Sequence, residues 1–346
     1  MKKHDLVPGY SISPVIKGGW QLSEGHSLSS TISSNSAVRD TIAFIESGIS
    51  TLDFGDIYTG VEDLIGRAIS DLRRVHGESS RGLVQLHTKY VPNDASLDNF
   101  DKSDVEKIVN RSLARLGVDT IDLVQFHWWK YESRSYLVAM SELFRLKSEG
   151  KIRQVGVTNF DVERLAEMVD AELKPASIQV QYSLLDRRPE AGMLEYCEQN
   201  AIGVLCYGTV AGGYLSEKYL NSIEPSEAET RSNLKYRLVI DEFGGWDLFQ
   251  LLLTRLHEIA QRQSSDIATI ASAYILRRPA VKGVIVGARN ISHLDSNLQI
   301  PLIKFSQVDL DAINEVIALA KGPNGPVYHL ERYSDAHRKI MHTNLN

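Results

Sequence analysis

Short apolar runs alternate along most of the chain with stretches whose apolar positions recur every three or four residues. Val15–Trp20 is a short apolar segment tipped by Gly18, Gly19 and Trp20, and after a polar loop over Ser29–Asn35 the residues Ala37–Glu46 read as a helix. Ile49–Phe54 reads as a buried strand and is followed by Val61, Leu64, Ile65, Ala68, Ile69 and Leu72 on one helical face. The same succession gives strands over Leu83–Lys89, Ile121–His127, Gln154–Thr158, Ser177–Gln181, Ile202–Tyr207 and Val281–Val286. Helices are expected over Asp104–Leu116, Tyr136–Lys147, Val162–Val169 and Pro189–Gln199, in two segments between Leu248 and Ile275, and over Leu310–Ala320.

Strict strand–helix alternation implies a parallel sheet. About eight such units with no Pro/Ser/Gly linker between them favour closure into a (β/α)8 barrel, with residues 1–346 as a single domain. No G-x-G-x-x-G follows the first strand, which disfavours an open dinucleotide-binding sheet. H-E-x-x-H, a phosphate loop and a nucleophile elbow are also missing from the sequence. Two stretches break the rhythm. A connection over about 210–245 holds Tyr214, Tyr219, Tyr236 and Phe243 among glycines and charges, and reads as a long loop of functional kind. The tail from Lys321 to Asn346 reads as irregular.

Composition narrows the class without identifying it. A hydrophobic content of 43% and a charged content of 24% suit a globular enzyme, and the net charge of −6 disfavours nucleic acid or an anionic membrane as partner. The start lacks a secretory apolar core, and no apolar run reaches the roughly 20 residues of a membrane span. A cytoplasmic location is therefore expected. Cys197 and Cys206 read as two buried thiols, and no metal is expected. No feature indicates an oligomeric state.

Candidate chemistry gathers where the strands end. In a barrel the residues just past the carboxyl ends of the strands converge on one pocket. Here they are Asp53 and Tyr58, Lys89, His127, Thr158 and Asn159, Gln179, Tyr207, and Gly287 with Arg289. An unperturbed phenol with a pKa near 10 is a poor acid at neutral pH, and a nearby ammonium is expected to pull that pKa down. An aspartate beside the lysine would keep it charged. A neutral histidine could donate one N–H to a carbonyl oxygen. The four groups suit carbonyl reduction, and since side chains carry no hydride donor, a nicotinamide cofactor is implied.

Several motifs resemble those of the aldo-keto reductase family over nearly the whole chain. Leu52–Tyr58 is similar to the family's D-T-A-x-x-Y segment, Thr88-Lys89 to its strand-end lysine, and Asp122–His127 to D-L-x-x-x-H. Gly150–Phe160 is similar to G-K-I-R-x-I-G-V-S-N-F, and Gln179–Arg187 resembles the branch of bacterial, fungal and channel-β-subunit-like members. The resemblance implies a catalytic tetrad of Asp53, Tyr58, Lys89 and His127, with Tyr58 as proton donor and His127 orienting the substrate carbonyl. It implies that Thr158, Asn159 and Gln179 hold the nicotinamide carboxamide and that Tyr207 stacks on its ring. Gly208, Thr209, Val210, Ala211, Gly212 and Lys218 match the pyrophosphate segment. Gly287, Arg289, His293 and Asn297 match the adenosine segment, and Gly19, Trp20 and Asp53 complete the expected cofactor contacts.

This chain departs from the family pattern in places. Gly208-Thr209 replaces the usual serine-proline, His293 a glutamine, Val286 a proline, and Thr158 the commoner serine. Arg289 and Lys218 could pair with a 2′-phosphate, so NADPH is favoured over NADH. Trp20, Tyr58, His127 and Trp128 are expected to contact substrate, with Trp129 also at the mouth. Lys130 and Glu132 nearby favour a polar carbonyl such as an open-chain or oxidised sugar. Two other readings compete: an NADPH-binding regulatory or interaction protein with little turnover, and a Schiff-base lyase using Lys89 as nucleophile. The short segment before the first strand disfavours the former, and an aspartate placed to hold Lys89 charged disfavours the latter.

Overall fold

The computed structural model describes residues 1–23 and 33–340. Two short antiparallel strands, β1 (His4–Val7) and β2 (Tyr10–Ile12), precede the barrel and were not expected from the sequence. Eight parallel strands then close on themselves: β3 (Val15–Gly18), β4 (Thr51–Asp53), β5 (Gln85–Tyr90), β6 (Ile121–Phe126), β7 (Ile152–Thr158), β8 (Ser177–Gln181), β9 (Gly203–Tyr207) and β10 (Val281–Gly287). Each pairs with its successor, and β10 returns to β3. The hairpin packs Leu6, Tyr10 and Ile12 against Ile16, Leu123 and Leu205 of three barrel strands, which caps the amino-terminal end of the barrel.

The connecting helices are α1 (Ser34–Glu46), α2 (Val61–His76), α3 (Ser103–Leu116), α4 (Tyr136–Ser148), α5 (Val162–Asp170) and α6 (Met193–Gln199). Their apolar stripes lie on the outward-facing strand residues. In α2, for example, Val61, Leu64, Ile65, Ala68, Ile69 and Leu72 are all buried, as their 3.6-residue spacing requires. The polar loop read over Ser29–Asn35 lies largely outside the described residues, and its last two members open α1. The barrel interior is unusually polar near its carboxyl end. Gln179 on β8 donates to Asp53 on β4 at 2.6 Å, a contact that can be made only through the barrel lumen.

The stretch read as a loop over 210–245 is irregular only as far as Thr230. There a capping box, in which Thr230 and Asn233 exchange side-chain and backbone hydrogen bonds, starts α7 (Arg231–Phe243). Tyr236, Val239, Ile240 and Phe243 bury one face of α7, and α8 (Trp246–Arg262) and α9 (Ile267–Leu276) follow it. After β10 come α10 (Leu294–Gln299) and α11 (Gln307–Ile317). The tail is also more ordered than expected, since α12 (His329–Tyr333) and α13 (Asp335–Arg338) fold back over the barrel mouth.

Buried ion pairs hold that return in place. Arg188 donates to Asp186 at 2.7 Å and to Glu331 at 3.0 Å, and all three side chains are essentially inaccessible. Lys235 of α7 approaches Glu331 at 3.4 Å. Arg332 donates to the backbone carbonyls of Asn159 at 2.9 Å and Trp128 at 2.7 Å. Barrel, α7 and tail are thus joined by one charge network at the carboxyl end of the strands. Among the described residues no helix is long and apolar enough to cross a membrane, and no cluster of His, Cys, Asp or Glu is arranged for a metal. Cys197 and Cys206 are buried free thiols.

Candidate active site

A cavity of about 430 Å³ opens at the carboxyl end of the barrel. Asp53 is the last residue of β4, and Lys89 lies one residue before the end of β5. Parallel registry sets Asp53 opposite His87, so Lys89 projects from the same inward row one step higher. Its ammonium donates to Asp53 at 2.6 Å and to the Phe54 carbonyl at 2.7 Å. The second oxygen of Asp53 accepts from Gln125 and Gln179, each at 2.6 Å. Three strands beyond β4 therefore contribute a donor to one carboxylate. Burial disfavours charge on Lys89, but Asp53 and Tyr58 outweigh it and hold the ammonium above the usual lysine range. A lysine so firmly protonated is a poor Schiff-base nucleophile.

Tyr58 sits past β4, in the turn that ends where Gly60 leads into α2. Its ring packs on Trp20 at 5.0 Å, and the Lys89 ammonium lies 5.1 Å from the ring centre. The phenol pKa is nevertheless raised rather than lowered. Burial penalises the phenolate more than Lys89 favours it, and Asp53 partly cancels the lysine charge. Tyr58 is therefore held as a neutral O–H donor.

His127 follows β6. Its Nδ1 lies 3.2 Å from the Thr158 carbonyl oxygen, and its buried Nε2 has no hydrogen-bond partner among the described residues. Burial, reinforced by the Arg332 guanidinium, pushes its pKa down to about 3, so the imidazole is neutral. Trp129 and Tyr328 meet its ring edge-on at 4.3 and 5.4 Å.

Thr158, Asn159, Gln179, Tyr207, Gly208, Val210, Gly212 and Gly287 also line the cavity, together with Gly19 and Trp20. The Thr158 hydroxyl donates to the Gln179 carbonyl at 3.1 Å, and the Tyr207 hydroxyl donates to Asn159 Oδ1 at 2.9 Å. Asn159 adopts a left-handed backbone (φ 62°), a conformation asparagine tolerates better than most residues. The Gly208 and Gly212 backbones are left-handed too (φ 74° and 64°), and a Cβ on either would collide with Tyr236. This glycine-walled trough, flanked by Arg231, suits the close approach of an anionic phosphodiester chain.

Other expected contacts lie elsewhere. Trp128 does not reach the cavity. It is fully buried between Phe100 and Phe126 and donates to the Ser133 carbonyl at 3.0 Å, while Trp129 takes the cavity-facing position. Thr209 and Ala211 are buried behind the lining, with Thr209 bonded to Ser272 at 2.9 Å. Lys218 is exposed and paired with Glu229 at 2.8 Å, which turns its charge away from the trough. Arg289, His293 and Asn297 follow β10 beyond the cavity, where Arg289 is half-buried, His293 exposed and Asn297 buried. Sequence reasoning missed Arg231, Lys235 and Tyr328, all of which line the cavity. The helical spacing of Tyr236, Val239, Ile240 and Phe243 behind Thr230 would have located the first two. The sequence carries no comparable signal for Tyr328.

Comparison with known proteins gives a consistent result. The model of the Aldo/keto reductase family matches residues 14–318. The NADH-specific methylglyoxal reductase of Escherichia coli (strain K12) is 27% identical over 335 residues, covering 91% of this chain and 98% of that protein. The uncharacterized oxidoreductase YqkF of Bacillus subtilis (strain 168) is 32% identical over 266 residues, 74% of this chain and 78% of that one. Among solved structures, the thermostable aldo-keto reductase Tm1743 in complex with the inhibitor epalrestat superposes with a TM-score of 0.72 at 25% identity, covering 91% of this chain and all of that one.

Proposed function

Because the chain belongs to the aldo/keto reductase family, we propose that it reduces an aldehyde or ketone to the alcohol at the expense of NADPH, with Tyr58 as the proton donor. The observation that carries this reading is the Asp53–Lys89–Tyr58 arrangement at the cavity floor, in which a neutral phenol lies beside a firmly charged ammonium. Bound reduced nicotinamide supplies the hydride. The Tyr58 hydroxyl donates to the substrate oxygen and passes its proton there as charge builds on that atom. Lys89 stabilises the phenolate left behind, and Asp53, braced by Gln125 and Gln179, keeps the ammonium in place. Trp20, Ile57 and Trp129 provide apolar walls that keep water from the reacting oxygen.

The residues present fit a dinucleotide. Gly208 and Gly212 line the cavity beside Tyr207, where a Cβ on either would be driven against Tyr236, and Arg231 supplies positive charge beside them. Preference for the 2′-phosphorylated form rests on Arg289, since Lys218 is turned toward Glu229. Arg289→Ala is expected to weaken NADPH binding roughly 10- to 100-fold, the worth of a charged hydrogen bond, and NADH binding far less. Fluorescence titration with both cofactors checks this, and equal weakening would remove the case for a 2′-phosphate contact. The proposed activity itself is tested by following oxidation of NADPH in the presence of aldehydes and ketones. A protein that binds the cofactor without consuming it against any of them would contradict it.

A further inference from the structure

Charge does not balance beside the cavity. The network that ties the tail to the barrel holds three cations, Arg188, Lys235 and Arg332, against two carboxylates, Asp186 and Glu331. Arg188 serves both acids. Its guanidinium reaches the two oxygens of Asp186 at 2.9 and 2.7 Å and the two of Glu331 at 3.0 and 3.1 Å. Arg332 is spent on the carbonyls of Asn159 and Trp128 and meets no carboxylate among the described residues. Lys235 is left with a Glu331 oxygen that Arg188 already holds, and approaches it only to 3.4 Å. Its ammonium lies among three phenol rings, 5.4 Å from that of Tyr207 and 5.9 Å from those of Tyr236 and Tyr328. All three tyrosines line the cavity, as does Lys235 itself. Such rings attract a cation without neutralising it. Burial holds the ammonium below the usual lysine range although Glu331 pulls the other way. An anion brought to this spot would offset a cost that the fold leaves standing.

Resting on the reductase reading above, we propose that Lys235 is an anion subsite for the substrate, and that the protein takes aldehydes or ketones carrying a carboxylate a few carbons from the carbonyl. Tyr328 sets the reach. Its ring lies 5.4 Å from that of His127 and 5.9 Å from the Lys235 ammonium, so it borders the reacting end and the subsite alike. A flexible chain running along that ring places the carbonyl on the Tyr58 O–H and the carboxylate on Lys235. A lysine is a compact point charge with up to three N–H donors, and one such charge matches a carboxylate monoanion better than a phosphate dianion. Lys89, the other ammonium at the cavity, is no rival, because Asp53 holds it at 2.6 Å. Arg231 lies one helical turn earlier on α7 and is left to the cofactor. Transfer of the proton and the hydride is unchanged by this contact, so Lys235 acts on substrate choice.

5-Oxopentanoate and its methyl ester share the reacting aldehyde and differ in the charge. Their kcat/KM values, read from reduced-nicotinamide absorbance, are compared in the wild-type full chain, in Lys235→Met and in Lys235→Arg. The acid:ester ratio is expected to be at least about tenfold higher in wild type than in Lys235→Met, the worth of a charged hydrogen bond, and to be largely restored in Lys235→Arg. Turnover of both compounds with the same ratio in wild type and Lys235→Met overturns this inference alone. No turnover of any carbonyl overturns the reductase reading and this inference with it. Fluorescence titration with NADPH accompanies the kinetics. An affinity for NADPH that falls in Lys235→Met while the acid:ester ratio stays the same would assign the ammonium to a cofactor phosphate and overturn the proposal. One measurement does not depend on how the variants fold: in wild type the acid should have the lower KM of the two, and an ester with an equal or lower KM overturns the proposal.

Discussion

Tyr58→Phe is expected to lower the rate of carbonyl reduction by about 10²- to 10⁴-fold, the usual worth of a positioned proton donor, while cofactor affinity stays close to that of wild type. The substitution removes one oxygen and keeps the ring, so packing on Trp20 at 5.0 Å survives. Lys89 also keeps its bonds to Asp53 and Phe54, which leaves the buried charge pair intact. The loss should therefore fall on the chemical step, and stopped-flow absorbance under single-turnover conditions separates it from binding. The same phenol sets the pH profile. Because its pKa is raised, the donor form is fully present below the ordinary tyrosine range and is lost only as pH climbs through the higher folded value. His127, held down to about 3, contributes no titration near neutrality. Reductive kcat/KM should be flat from about pH 6 through about pH 10 and decline only above the ordinary tyrosine range. A mutant with unchanged turnover would exclude Tyr58 as the donor.

Arg188→Ala is expected to destabilise the fold by about 3–5 kcal/mol, because it strands two buried carboxylates. Asp186 and Glu331 are both fully enclosed, and Arg188 bridges them with bonds of 2.7 and 3.0 Å. Lys235 supplies a second cation at 3.4 Å and limits the damage on the Glu331 side. Arg188→Lys, which keeps the charge but not the fork, should lose less. Burial alone would raise the Glu331 pKa, yet Lys235 and Arg188 bring it down to about 2. Its contribution is therefore present above the unfolded value near 4.5 and fades as pH falls toward 2. In Arg188→Ala the folded pKa of Glu331 moves up toward the unfolded value, so this pH-dependent contribution should shrink. The tail carrying Tyr328 hangs on this network, so KM for the carbonyl should rise with the loss of stability. Urea unfolding monitored by circular dichroism measures the first effect, and a change below about 1 kcal/mol would show that the network is not what anchors the tail.

Where the sequence was legible, one physical rule carried the reading. Strands enclosed on both faces are near-continuous apolar runs, so the polar residues that interrupt or end them stand out, as Asp53, Lys89, His127 and Gln179 do. The same alternation could have been taken further. With His127 facing inward, Trp128 must face outward and Trp129 must return toward the cavity, as the structure has it. In α7 a helical stripe at Tyr236, Val239, Ile240 and Phe243 was overlooked behind its glycines and charges. The tail was illegible for a different reason. Tyr328, Glu331 and Arg332 are ordered by partners far away in the chain, His127, Arg188 and Asn159 among them, and no local period announces such contacts. The direction of the Tyr58 pKa was likewise beyond composition, because it depends on how completely the phenol is buried and on Asp53 offsetting Lys89.

A reductase and a protein that merely holds the cofactor would share the cavity, the glycine trough and the charge network. They part at turnover. The purified full chain is mixed with NADPH and a panel of aldehydes and ketones that includes 5-oxopentanoate, and reduced-nicotinamide absorbance is followed alongside the alcohol formed. The account predicts that absorbance falls and that one alcohol appears for each NADPH consumed. Binding of NADPH with no consumption across the panel would contradict it.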